Sequence, residues 1–74
     1  MQFKFKRHQK VKILVSPDPE YTEFHDEPLE IKKGMPGKIN IILPNGKYHV
    51  EILDDKDNVI AYAPFDEDQL ESAE

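Results

Sequence analysis

Apolar and polar residues alternate along this chain in short bursts with a period of two. No burst outlasts a single β-strand, and none shows the three-to-four spacing of an amphipathic helix. Val11, Ile13 and Val15 share one face with Lys12 opposite, which predicts a first strand. Ahead of it, Phe3-Lys4-Phe5-Lys6 alternates too, either as a separate short strand or as a lead-in to the first. Ser16-Pro17-Asp18-Pro19 ends that strand, because proline donates nothing to a ladder. From there to Glu30 no period holds and acids abound, so residues 16–30 read as one long loop, with Leu29 and Ile31 re-entering the core. A loop of about 15 residues is long for so small a domain, and loops of that length tend to be functional.

The second half is more regular. Gly34-Met35-Pro36-Gly37 suits a type II turn, with proline second and a positive-φ glycine third. Ile39, Ile41 and Leu43 then alternate as a strand. Pro44-Asn45-Gly46 fits a three-residue hairpin loop with a bulge. Tyr48, Val50 and Ile52 return inward, with His49 and Glu51 outward. Asp54-Asp55-Lys56-Asp57-Asn58 is the next tight turn, Val59-Ile60-Ala61-Tyr62-Ala63 the next strand, and Pro64 its end. Residues 65–70 read as a turn of helix or a short strand, with Phe65 and Leu70 pinned to the core. Short strands separated by frequent turns predict an all-β fold of about five strands, closed into a small barrel so that no sheet edge is left exposed.

Composition limits what such a fold can do. The chain has 74 residues. That is one domain, residues 1–74, with an ordered core over 9–71 and a flexible tail at 72–74. A domain this small buries only roughly 60 % of its unfolded surface, so a site is expected on the surface rather than in a cavity. There are no cysteines, which excludes disulfides, thiolate metal sites and cysteine nucleophiles. No apolar run reaches the roughly 20 residues of a membrane helix, and Met1-Gln2-Phe3-Lys4 does not begin like a signal peptide. The expectation is a soluble, cytoplasmic protein.

The net charge of −5 is segregated. Residues 1–15 carry Lys4, Lys6, Arg7, Lys10 and Lys12 and no acid. Residues 16–30 carry Asp18, Glu20, Glu23, Asp26, Glu27 and Glu30 and neither lysine nor arginine. Residues 31–53 are basic again, and the remainder is strongly acidic. Alternating blocks of this kind predict charge pairing between neighbouring strands and loops.

The string Gly34-x-x-Gly37-x-Ile39, then Pro44-x-Gly46-x-Tyr48-x-Val50-Glu51-Ile52-x-Asp54, then Asp68-Gln69-Leu70, resembles a group of small bacterial domains of unknown function with an SH3-like fold. The layout over residues 9–71 is also similar to the SH3-like electron-transport accessory proteins: photosystem I subunit IV, the variable chain of ferredoxin–thioredoxin reductase, and the ferredoxin-docking subunit of the photosynthetic NADH-dehydrogenase-like complex. The resemblance implies an SH3-like barrel and an accessory role. Of the basic docking surface it implies, only Lys32, Lys33 and Lys38 are present, and the acidic loop departs from it.

Candidate chemistry is sparse. His8, His25 and His49 titrate nearest neutrality, but none has a nucleophile or metal-ligand spacing beside it. The acidic run at 54–58 is half a calcium loop in length and reads as a turn. Gly34-Met35-Pro36-Gly37-Lys38 lacks the spacing, the hydroxyl residue and the helix of a P-loop. It is similar to the Gly-x-x-Gly-x-Val core of nucleic-acid-binding SH3-like domains, so Lys32, Lys33 and Lys38 are candidate nucleic-acid contacts. Net acidity argues against that use.

Two surfaces remain for a partner. Tyr21 and Phe24 stand three apart among acids, either as a lid on the barrel or as an exposed hot spot. The strand 59–63 is apolar on both faces. If Ile60 and Tyr62 point in, then Val59, Ala61 and Ala63 point out, and a one-residue slip exchanges the sets. Phe3 and Phe5, another protein or a second copy of the chain would cover the outer stripe. No cofactor and no enzymatic activity is expected. The expected role is a non-enzymatic interaction or accessory domain, with nucleic-acid association through the local basic face as the alternative.

Overall fold

The computed structural model describes residues 3–74. Met1 and Gln2, where the leader reading begins, lie outside that range. The chain forms six strands: β1 (Lys10–Ile13), β2 (Glu23–Phe24), β3 (Pro36–Ile42), β4 (Tyr48–Leu53), β5 (Val59–Phe65) and β6 (Leu70–Ser72). All pair antiparallel in one sheet of order β2-β5-β4-β3-β1-β6. The all-β expectation holds. The sheet is open, however, for its edge strands β2 and β6 do not pair with each other. The extra strand relative to the sequence reading arises inside the long loop. Among the described residues, no helix is long and apolar enough to cross a membrane.

The meander β3-β4-β5 forms where local chemistry demands it. Gly46 sits at φ +87°, and its N–H donates to the Leu43 carbonyl at 3.0 Å while Leu43 N–H donates to Lys47 O at 2.8 Å. This is the bulged hairpin that Pro44-Asn45-Gly46 predicts. At the next turn the Asp54 carboxylate accepts from the N–H groups of Lys56 (2.8 Å) and Asn58 (2.9 Å). Asp57 takes the left-handed position at φ +63°. Those backbone hydrogen bonds, that from Asn58 first, hold the Asp54 carboxyl below the usual carboxylate range.

The core lies on one face. Val11, Ile13, Ile39, Tyr48, Val50, Ile52, Ala61 and Ala63 are sealed from solvent, with Phe5, Phe65 and Leu70 almost equally so. Burying one large apolar side chain contributes about 1.5–3 kcal/mol. Ala61 and Ala63 are therefore in the core, and their expected outward placement is corrected. The pairing decides it. Tyr48, Val50 and Ile52 stand directly opposite Phe65, Ala63 and Ala61, and opposite residues share a face. The larger Val50 and Ile52 on β4 stand opposite the small Ala63 and Ala61 on β5, a large-to-small match across the pair. Val59 is half-buried, opposite Leu53 at a register shift.

Further corrections follow from packing. A bulge between Ile39 and Ile41 turns Ile41 outward, to 40 % exposure, and brings Ile42 against the core instead. Val15 is exposed because β1 ends at Ile13. Leu29 is 51 % exposed whereas Ile31 is buried. Phe3 and Phe5 form no strand, yet Phe5 packs edge-on to Tyr48 with ring centroids 5.4 Å apart, while Phe3 stays exposed.

Residues 72–74 are not a free tail. Ser72 closes β6, Ala73 N–H donates to Lys10 O at 3.0 Å, and Glu74 Oε2 accepts from Lys10 N–H at 2.9 Å. The turn before β3 also differs. It spans Lys32–Met35, with Gly34 at φ +92° in third place. Pro36 and Gly37 already belong to β3. Gly37 is needed for close approach: a Cβ there would lie 2.8 Å from Val50 Cγ1 and 3.1 Å from Glu51 O.

Candidate functional site

Residues 14–31 are held by specific local bonds. Asp18 caps a single 3₁₀ turn, Pro19–Tyr21. Its carboxylate accepts from Glu20 N–H at 2.9 Å, and its carbonyl accepts from Tyr21 N–H at 3.0 Å and Thr22 Oγ1 at 2.8 Å. Proline in the first turn and aspartate at the cap are the residues such a start favours. The chain then docks on the sheet edge as β2, Glu23 opposite Tyr62 and Phe24 opposite Ala61, and His25 N–H donates to Ile60 O at 3.0 Å.

These restraints separate the two loop aromatics. Phe24 is half-buried and packs against the core, as a small core recruiting a loop aromatic requires. Tyr21 is 65 % exposed, so the lid reading fails for it. Tyr21 instead walls a groove of about 440 Å³ with Leu43, Asn45, Lys47 and Pro64. The loop tip thus faces the β3–β4 hairpin tip and the end of β5. Lys47 also bridges to Asp66 at 3.0 Å, next to a second 3₁₀ turn, Glu67–Gln69.

A separate groove, of about 480 Å³, opens between the arms of the loop itself. Ser16, Pro17 and Pro19 of one arm and Pro28, Leu29, Glu30 and Ile31 of the other line it, together with Thr22 and Phe24. Sequence reading placed Tyr21 and Phe24 on one surface and missed Leu29, Leu43 and Pro64. The only signal for Leu29 was an aliphatic residue set among acids and a proline.

The predicted pairing of charge blocks is mostly absent. Among the described residues the ion pairs are Lys12–Glu71 at 3.9 Å and Lys47–Asp66 at 3.0 Å, both exposed and worth at most about 1 kcal/mol each. None of the six loop acids has a cationic partner in that set. Lys38 projects from β3 between Lys10 and Glu51, whereas Lys32 and Lys33 occupy the exposed turn before the strand.

The outer face of the meander carries one polar cluster. His49 stacks on Tyr62 with ring centroids 5.6 Å apart and an interplanar angle of 13°. The Asn40 amide, at the bulge, donates to His49 Nδ1 at 3.0 Å, and Arg7 Nε donates to Asn40 O at 3.2 Å. Among the described residues, no three His, Asp or Glu side chains are gathered as metal ligands. Comparison with protein-family models, with curated proteins and with solved structures found no match.

Proposed function

We propose that this chain is a small non-enzymatic interaction domain with SH3-like topology, which binds another protein through the tip of the loop between β1 and β3. The observation that carries the reading is Tyr21, a large aromatic held 65 % exposed by its capped turn against the groove formed with Leu43 and Pro64. Exposed tyrosines on rigid supports, beside apolar pockets, are typical anchors of protein interfaces. The SH3-like reading is supported by the meander β3-β4-β5, by β1 added beside β3 and β6 beside β1, and by the 3₁₀ turn between β5 and β6.

A photo-crosslinking residue at position 21, compared with one at position 56 in the β4–β5 turn, tests this in the native host. Discrete crosslinked products at position 21 alone are expected. Equal patterns from both positions would overturn the reading.

A further inference from the structure

We infer that the groove between the arms of the loop receives a cationic segment of a partner protein, one or two apolar side chains flanked by lysines or arginines. The inference rests on the reading of this loop as an interaction surface and names the chemistry of what it binds.

Two properties of the loop converge on that occupant. Three prolines, Phe24, Leu29 and Ile31 make most of the lining apolar, with Ser16, Thr22 and Glu30 as its polar members, so an apolar side chain with a polar or charged neighbour is what fills it. Leu29, half open to solvent, gains most from being covered. Residues 16–30, which supply most of the lining, carry six carboxylates and no lysine or arginine. Glu30 is itself in the lining. Among the described residues, none of the six is paired with a cation. A largely apolar cleft set in an acidic segment whose carboxylates have no ion-pair partner steers and orients a positive partner, and it repels acidic ones. An anionic or purely apolar ligand would leave those carboxylates unanswered.

The test uses the full chain and a short fluorescein-labelled peptide with a central leucine pair flanked by lysines, followed by fluorescence anisotropy at low salt. Binding is expected, weakening about tenfold as the salt rises past the point where the screening length falls below ~8 Å. Leu29→Ser is expected to weaken binding about tenfold, the equivalent of ~1.4 kcal/mol. Glu27→Gln with Glu30→Gln is expected to weaken it by a similar factor and to flatten the salt dependence. Control peptides with the lysines or the leucines replaced by serine should not bind.

Salt-insensitive binding, no binding at low salt, or no effect of these variants would overturn the inference. Loss through Tyr21→Ala alone would overturn it too, while leaving the interaction reading intact. Sedimentation showing a dimer that excludes the peptide would replace the partner by a second copy, and so overturn it. Conversely, peptide binding that depends on Leu29 and the two glutamates would uphold the inference even if crosslinking at position 21 failed.

Discussion

Ile52 and Leu29 are both aliphatic residues next to a glutamate, and they have opposite fates. Ile52 is sealed beneath the meander of residues 36–65, while Leu29 stands half open on the loop. In the meander each strand is pinned on both sides and its turns are closed by backbone or carboxylate hydrogen bonds. The loop is held at its capped turn and at the two-residue strand β2, and while Phe24 and Ile31 turn to the core, Tyr21 and Leu29 stay exposed. Order comes from one region, and exposed apolar side chains from the other. A domain this small has a core that cannot take in every apolar side chain of so long a loop.

The contrast is broken most directly by truncating each aliphatic residue. Ile52→Ala should cost about 2–5 kcal/mol, because it leaves a cavity in a sealed core. Leu29→Ala should change stability by no more than about 0.5 kcal/mol. Denaturant unfolding of the two variants checks this, and equal losses would show that the loop belongs to the same cooperative core.

The glycines sharpen the comparison at a smaller scale. Gly37→Ala pushes a methyl group onto Val50 and the Glu51 carbonyl inside the meander, an overpacking that costs about 1–3 kcal/mol. Gly34→Ala, at the end of the loop, meets open space but must hold a positive φ, at about 1 kcal/mol. Thermal unfolding should therefore rank Gly37→Ala below Gly34→Ala, and the reverse order would contradict the close approach at Gly37.

The smallest effect lies in the acids. Asp54 has its carboxyl lowered by turn hydrogen bonds, so its ionised form is favoured by folding. That contribution is present above the ordinary carboxylate range and is lost as pH falls through the lowered value. Asp54→Ala should thus lie slightly below the parent chain in stability at neutral pH, with the gap closing on acidification. Melting curves across acid pH check this.

Much of this was legible in the residues, unevenly. The hairpin at Pro44-Asn45-Gly46 and the turn at 54–58 form where their turn chemistry places them. The parity of β5 was not legible, since an apolar strand reads the same in either phase. Ala61 and Ala63 therefore passed for surface residues. A single bulge at Asn40 likewise reversed the outlook of Ile41, and no local residue signals it. Charge blocks looked like partners along the chain, yet sequence order says little about which side chains come within a few ångströms.

What the sequence by itself determined is the all-β class, the positions of the tight turns at 44–46 and 54–58, and the acidic character of residues 16–30. These follow from interactions within a few residues: proline's missing donor, glycine's positive φ and side-chain caps. Only the tertiary structure decided which face of β5 is buried, why Gly37 must be glycine, that residues 72–74 pair with β1, and that Leu29 and Tyr21 border separate grooves. Each of these depends on what an element packs against, and packing is a property of pairs distant in the chain.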